Sequence, residues 1–219
     1  MLTKELINNN IPRLKLQDSV GKALQLINDY RITHLPVVSD TTFLGLISEE
    51  DLLDAEDEKL PIEVFQNSFI QAAVPANVHF LNAVSSSVQF DTTVVPVIDE
   101  QTYAGVITTS DLLKTLSNFS GADEIGGLIV LEMVRTQFAI SEISRIVESN
   151  DCTILHLNTT VHPLTGILTV TLHINKREIA SVIATFERYD YNVIYSFGNE
   201  NFENEINSNY NHLMHYLDI

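Results

Sequence analysis

The chain has 219 residues, of which 45% are apolar, and a formal net charge of −17. This apolar content is enough for buried cores and excludes wholesale disorder, and no apolar run approaches the roughly 20 residues of a membrane-spanning helix. An acidic surface repels nucleic-acid phosphates and anionic lipid, so we expect neither nucleic acid nor membrane as a partner.

Cys152 is the only cysteine, which excludes an internal disulfide. The N-terminus lacks the long apolar core of a signal peptide. Because disulfides persist mainly in oxidising compartments, we expect a cytoplasmic location.

An internal repeat with an offset of 60 residues occupies the first half of the chain. The stretch Leu35–Val38 (LPVV) returns as Val95–Ile98 (VPVI). Each copy leads to a Gly-apolar-Ile-Ser/Thr-x-x-Asp-Leu-Leu segment, at Gly45–Leu53 and Gly105–Leu113. Internal repeats take priority over other signals when a fold is predicted.

Both repeats follow a predicted β-α-β-β-α plan. A leading helix and turn in residues 1–12 precede a helix at 19–30, where apolar residues have helical spacing. The remaining predicted elements are strands at 35–38 and 43–47, a helix containing Asp51, a strand at 69–73, a helix at 78–89, strands at 93–98 and 103–108, and a helix at 110–119. One unit is too small to bury a core alone, so two units are expected to face each other.

The pattern changes after a linker rich in glycine at residues 120–127. The predicted elements beyond it are strands at 128–134, 153–160, 166–174 and 191–197, and helices at 140–147 and 179–189. Their β-α-β-β-α-β order is that of the ferredoxin-like split βαβ sandwich. Residues 202–217 have apolar groups at helical spacing and predict a terminal helix.

The repeat resembles the CBS domain, whose tandem pair is the Bateman module. This resemblance is carried by Thr33–Val38 with Gly45–Leu53, and by Thr93–Ile98 with Gly105–Leu113. Residues 128–198 resemble an ACT-type domain in topology and pattern only. A CBS pair followed by an ACT-like domain is similar in architecture to acetoin-utilisation-type regulatory proteins.

The predicted fold class is therefore α/β (α+β). It consists of a CBS-domain pair, two β-α-β-β-α units packed about a pseudo-twofold axis, followed by a ferredoxin-like ACT-type βαββαβ domain. The predicted domains are CBS domain 1 at 1–60, CBS domain 2 at 61–119, a linker at 120–127, an ACT-like domain at 128–198 and a C-terminal helical segment at 199–219.

The resemblance implies a regulatory protein, not an enzyme, that forms a homodimer, signals to a protein partner and requires no cofactor. Its implied ligand is an adenosine-containing nucleotide (AMP, ADP or ATP) or S-adenosylmethionine, bound in a cleft between the repeats. The implied ligand-binding residues are Thr108, Asp111, Thr93, Val94, Val106 and Ser110 in the second repeat, and Ser48, Asp51, Thr33, His34 and Leu46 in the first.

The residue types at the helix starts suit such a ligand. A hydroxyl and free N–H groups at a helix start favour a phosphate, and an Asp one turn later can accept from both ribose hydroxyls. The purine is expected near Thr33 and His34, or near Thr93 and Val94. Alternatively, these Ser, Thr and Asp residues serve only as N-caps and complements of the helix dipole.

The two copies differ in charge. Thr108–Asp111 offers three hydroxyls, whereas Ser48–Asp51 places two glutamates near the same point. A charge pair at about 4 Å costs about 4 kcal/mol at an effective dielectric of about 20. We therefore expect the second cleft to be the better phosphate site. The first is expected to be empty, to take a ligand with little negative charge, or to require a cation.

An alternative function is that of a non-ligand-binding oligomerisation adaptor with vestigial clefts. In the ACT-like part, the loop Arg135–Ala139 lacks the Pro-Gly pair common in amino-acid-binding members. This favours a role in dimerisation over amino-acid sensing. Leu128–Val134 is the expected contact strand of the dimer. The seven histidines form no spaced cluster with Cys152, so no metal ligands are expected. The sequence contains no G-x-S-x-G, P-loop or G-x-G-x-x-G motif, so no catalytic residues are expected.

Overall fold

The structure is a computed structural model that describes residues 1–198. The chain divides into two compact units, a first unit at Met1–Leu116 and a second unit at Ser117–Ile219. The helical segment predicted at 199–219 lies outside the described residues. Within residues 1–198, no helix combines the length and apolar character that crossing a bilayer requires.

The first unit contains the two copies of the repeat. The elements of the repeats, in chain order, are a 3₁₀ helix at Thr3–Leu6, α1 (Val20–Tyr30), β1 (His34–Ser39), β2 (Thr42–Ser48), α2 (Glu49–Leu53), a 3₁₀ helix at Ile62–Ser68, β3 (Val74–Pro75), α3 (Leu81–Phe90), β4 (Val94–Asp99), β5 (Thr102–Thr108) and α4 (Thr109–Ser120).

The repeat predicted from the sequence is confirmed by the strand registers. Both antiparallel hairpins, β1–β2 and β4–β5, have the same pairing and the same register shift, 60 residues apart. The equivalent pairs are His34–Ser48 with Val94–Thr108, Val37–Gly45 with Val97–Gly105, and Ser39–Thr42 with Asp99–Thr102. Because register decides which face a strand residue occupies, the two hairpins bury equivalent positions.

Apolar packing joins the two repeats. Val94 and Val106 of the second repeat are fully buried in the same cluster as Leu35, Leu46 and Ile47 of the first. A further cluster around Phe80 and Ile107 belongs to the second repeat. Each repeat therefore helps to bury the apolar residues of the other, because a single repeat is too small to bury a core alone.

The leading segment of the chain packs on the second repeat. Thr3 N–H donates to Val78 O at 2.9 Å, and Asn8 N–H donates to Val106 O at 2.7 Å. The two contacts connect residues about 75 and 98 positions apart. They hold the segment that precedes the first repeat against the second repeat.

Residues 60–70 contact the first repeat in the corresponding way. Leu46 and Ile70 exchange two backbone hydrogen bonds of 2.9 Å. The strand predicted at 69–73 is wrong, because this segment extends along the first hairpin and the strand begins later. It is Val74–Pro75, which pairs in parallel with β4. The segment before the first repeat thus completes the second repeat, and the segment before the second repeat completes the first.

The second unit is a four-stranded antiparallel sheet with two helices. Its elements are β6 (Gly127–Met133), a 3₁₀ helix at Arg135–Gln137, α5 (Ile140–Glu148), β7 (Ile154–Val161), β8 (Leu168–Ile174), α6 (Ala180–Arg188) and β9 (Asn192–Phe197). The strand order is β7-β8-β6-β9. The predicted ferredoxin-like βαββαβ order is therefore confirmed, with alternate residues of β6 and β8 packed in one core with α5 and α6.

The expectation that Leu128–Val134 is a contact strand is wrong. This segment forms β6, which lies in the interior of the sheet between β8 and β9. The split βαβ topology places the first strand between the third and fourth, so both of its backbone edges are already paired. The edge strands are β7 and β9.

Gly105 controls the approach of the leading segment. Its φ is +145°, and a Cβ added there would lie 2.5 Å from Ile7 Cγ2. We expect Gly105→Ala to strain the backbone and to push residues 7–9 away from β5, lowering the free energy of unfolding of the first unit by about 2 kcal/mol. Urea denaturation followed by circular dichroism measures this loss.

The contribution of the clash can be isolated by a double variant. Ile7→Ala removes the atom that the new Cβ would meet, so Gly105→Ala combined with Ile7→Ala should cost less than the sum of the two single changes. Strictly additive losses would contradict the contact.

Candidate functional site

The two predicted Ser/Thr–Asp pairs have the same local structure. Ser48 Oγ donates to Asp51 Oδ2 at 2.5 Å and accepts from Asp51 N–H at 3.1 Å. Thr108 Oγ1 donates to Asp111 Oδ2 at 2.7 Å and accepts from Asp111 N–H at 3.1 Å. Each hydroxyl is thus an N-cap, and each aspartate accepts from it through Oδ2.

The helices that follow these pairs differ in length. α2 has 5 residues, whereas α4 has 12. At the start of α4, Thr109 N–H donates to Thr93 O at 3.0 Å, and Asp111 N–H is bonded to Thr108. Two of the first N–H groups of α4 are therefore engaged, which weakens the expected attraction for phosphate and leaves the Asp111 carboxylate as the main polar feature.

Asn8 reaches the second pair from the leading segment. Its Nδ2 donates to Asp111 Oδ2 at 3.3 Å, across a sequence separation of 103 residues. Among the described residues, Asp51 has Ser48 as its one side-chain hydrogen-bond donor. Asn8 was not among the predicted site residues, because no local sequence pattern connects it to α4. Its backbone contact with Val106 is pseudo-symmetric to that of Ile70 with Leu46.

Thr33, His34 and Thr93 meet where the repeats join. Thr33 N–H donates to Thr93 Oγ1 at 2.9 Å, and the two threonine hydroxyls are 3.2 Å apart. His34 Nδ1 lies 2.9 Å from Thr33 Oγ1 and 3.5 Å from Thr93 N. Because a backbone N–H can only donate, Nδ1 is the acceptor. Two positions predicted to contact a purine in separate clefts therefore contact each other.

His34 is held neutral at this junction. Its side chain is only 8% exposed, and burial lowers its pKa below the ordinary 6.5, while the charges of Asp91 and Asp51 act in the opposite direction. Because the unfolded chain takes up a proton at higher pH than the folded chain, the contribution of His34 to stability falls as the pH drops below 6.5.

Three predicted site residues lie in the core. Leu46, Val94 and Val106 are 0% exposed. Leu46 and Val106 occupy equivalent positions of β2 and β5, one residue before Ile47 and Ile107, which are also buried. These side chains pack in the core of the first unit, and a role for these three residues in ligand binding stays a prediction.

Ser110 lies at an apolar groove. The cavity, of about 360 Å³, is bounded by α3 and α4. Its lining residues are Val84, Ser87, Val88, Thr109, Ser110, Leu112, Leu113 and Leu116. Ser110 is thus placed with these apolar groups, whereas the carboxylate of Asp111 bonds to Thr108 and Asn8.

A family comparison identifies part of the first unit. Residues 4–58 match the family model of the CBS domain. The second copy repeats the same hairpin register and the same Ser/Thr–Asp cap. The first unit is a tandem CBS module. CBS domains are ligand-binding regulatory modules, and the paired caps are the equivalent positions of its two halves.

One curated relative shares part of the sequence. Homoserine O-acetyltransferase from Methanobrevibacter ruminantium is 24% identical over 119 residues, which are 52% of this chain and 24% of that protein. The match therefore spans about a quarter of the length of that relative.

Solved structures with a similar fold include two from bacteria. A CBS domain pair/ACT domain protein from Thermotoga maritima is 21% identical, with a TM-score of 0.49 over 54% of this chain and 98% of that one. A Vibrio cholerae protein assigned to acetoin utilization (AcuB) is 18% identical, with a TM-score of 0.48 over 56% of this chain and 95% of that one.

No group of three or more His, Cys, Asp or Glu side chains within residues 1–198 is arranged to hold a metal ion.

The protonation of His34 can be measured directly. In the folded protein, NMR titration of its ring should give a pKa below 6.5, the ordinary value. Asp91→Asn removes a charge that favours the imidazolium form, so we expect the pKa of His34 to fall further in that variant. Asn also tolerates the left-handed backbone of residue 91, where φ is 50°.

A matched variant tests whether the effect is local. Asp99→Asn removes the same charge from the same repeat, but Asp99 is not among the charges that act on His34. It should leave the pKa of His34 unchanged, whereas His34→Gln should reduce the loss of stability between pH 6.5 and more acidic pH. An equal shift in both Asp variants would point to net charge instead of proximity.

Proposed function

We propose that the protein is a ligand-sensing regulatory protein that binds an adenosine-containing molecule beside Asp111, between its CBS repeats. The class comprises AMP, ADP, ATP and S-adenosylmethionine. The observation that carries this proposal is the Asp111 carboxylate, which receives hydrogen bonds from Thr108 and Asn8 on Oδ2. The proposed role is regulatory and not catalytic, and a cytoplasmic location accords with the single cysteine.

A ribose suits this carboxylate. The two hydroxyls of a ribose can donate to the oxygens of one carboxylate, and charge-assisted hydrogen bonds of this kind are stronger than neutral ones. Asn8 Nδ2 donates to the same carboxylate and can turn from Asp111 to a ligand oxygen. Thr108 keeps the carboxylate oriented throughout.

The charge of the chain favours ligands with few phosphates. The net charge is −17, and two of the first N–H groups of α4 already have partners. S-adenosylmethionine carries a positive sulfonium and AMP a single phosphate, so both fit this environment better than ATP does. The Ser48–Asp51 cleft has two neighbouring glutamates and a helix of 5 residues, and we propose that it binds anions less well.

Signal transfer requires that the ligand distinguish two arrangements of the repeats. Thr33 and Thr93 join the two repeats through hydrogen bonds of 2.9 and 3.2 Å between their backbone and hydroxyl groups. We propose that ligand binding favours one arrangement of this junction. The change would then pass to the ferredoxin-like domain or to a protein partner.

Asp111→Asn tests the site. The change removes the charge but keeps the size of the side chain, and we expect affinity for S-adenosylmethionine or AMP to fall at least about tenfold. Isothermal titration of the full chain with adenosine, AMP, ATP and S-adenosylmethionine measures it, with circular dichroism to establish that the variant is folded.

The first repeat supplies the control. Asp51→Asn makes the same change at the equivalent position, and the affinity should stay within about twofold of wild type. Unaltered binding in Asp111→Asn, or the same loss in both variants, would contradict the assignment to the second cleft.

A second candidate function is that of an oligomerisation adaptor, in which a second copy of the chain covers the groove between α3 and α4. Val88 is 78% exposed and Leu113 is 69% exposed on this groove, so both leave apolar surface in water. This surface favours self-association whether or not a nucleotide binds.

Leu113→Glu tests this interface. A charge in the groove should raise the dimer dissociation constant at least about tenfold, since burying a carboxylate among apolar groups is costly. Light scattering after size-exclusion chromatography measures the effect. Leu164→Glu is the control, because Leu164 is 91% exposed but lies in a turn of the second unit. A wild-type protein that is a monomer at tens of micromolar would sink the adaptor hypothesis.

A further inference from the structure

The second unit has a cavity on its helical side that the proposed function does not use. It has a volume of about 390 Å³ and lies between α5 and α6. The residues that matter here are Arg145, Ser149, Asn150, Thr185, Arg188 and Tyr189. We propose that this cavity is a binding site for a small oxyanion, a molecule that carries a carboxylate or a phosphate. Its volume is within the range of pockets for small ligands.

Two arginines share one aromatic ring at this cavity. Arg145 Cζ lies 5.3 Å from the centroid of the Tyr189 ring, and Arg188 Cζ lies 6.0 Å from it. A guanidinium stacked on a ring is oriented by it while its N–H donors stay available in the plane of the group. Two of the 12 basic residues of a chain with net charge −17 therefore meet at one cavity.

Nearby carboxylates do not neutralise this pair. Glu142 Oε1 lies 3.6 Å from Arg145 Nη2, and the side chains of Glu142 and Arg145 are 39% and 62% exposed. An ion pair this exposed is weak because water screens it. The other oxygen, Oε2, accepts from Tyr191 Oη at 2.8 Å, which holds the glutamate away from a closer contact. Within residues 1–198, Arg188 has no carboxylate at salt-bridge distance. A bound anion would supply the missing charge.

The neutral side chains hold the wall of the cavity in place. Asn150 Nδ2 donates to Ile146 O at 2.8 Å and to Thr185 Oγ1 at 3.3 Å, and Ser149 Oγ donates to Ile146 O at 2.9 Å. These bonds fix the position of the α5 end relative to α6. The wall is therefore polar and preorganised, and the two arginines supply the charge.

Helix electrostatics explain part of this arrangement. Arg145 and Arg188 lie in the last turns of α5 and α6, where a cation complements the helix dipole. That accounts for a basic residue at each position separately. It does not account for two guanidinium groups on one tyrosine ring, bordering one cavity.

The proposal is tested by titrating the full chain with inorganic phosphate and, in a second arm, with citrate, against sodium chloride of matched ionic strength. The arginine Nε–Hε signals in ¹⁵N NMR spectra report saturable binding. We expect Arg188→Gln to weaken the binding at least about tenfold, because it removes a charge-assisted donor. Saturation by either probe supports the proposal, and the tighter of the two identifies the ligand class.

Two further variants sharpen this test. Arg177→Gln removes the same charge from the second unit at an exposed position outside the cavity, and should leave affinity within about twofold. Glu142→Gln removes the competing charge but keeps an oxygen for Tyr191, and should raise affinity about threefold. Equal losses in Arg188→Gln and Arg177→Gln, or no saturable shift at tens of millimolar, would overturn the proposal. Because the cavity belongs to the second unit, Asp111→Asn should leave this binding unchanged.

Discussion

The hairpin register, repeated at an interval of 60 residues, is the constraint on which the first unit depends. It places His34 opposite Ser48 and Val94 opposite Thr108, so the residues before each first strand stand beside the cap of the following helix. A slip of one residue would turn every side chain to the other face. The same register buries the apolar residues that join the repeats. It therefore positions both the helix caps and the shared core.

The two halves share this framework but differ in what surrounds the caps. The second cap receives Asn8 from the leading segment and precedes a helix of 12 residues, whereas the first precedes one of 5 residues beside two glutamates. The two pseudo-symmetric caps therefore have unequal surroundings. Thr33 and His34 of the first repeat form direct hydrogen bonds with Thr93 of the second repeat.

The strong negative charge of the chain gives its few cations unusual weight. The chain has 12 basic residues against 29 acidic ones, and Arg145 and Arg188 meet at one polar cavity of the second unit. The two units thus offer contrasting chemistry. The second cap of the first unit carries the Asp111 carboxylate, whereas a pair of guanidinium groups borders the cavity of the second unit.

The sequence by itself determined the repeat, the order of the elements, the CBS resemblance and the capping of α4 by Thr108, because apolar periodicity and three-residue cap spacing are local. It did not predict that Val94 and Val106 would be buried in a core shared by both repeats, nor that the strand after residue 68 would begin at Val74.

Only the tertiary structure decided which segment completes each repeat. Asn8 meets Asp111 across 103 residues, and Leu128–Val134 becomes an interior strand through the split topology. Such contacts depend on which surfaces remain to be filled once the hairpins and helices have packed. No local period or spacing records that choice, so it follows from the fold as a whole.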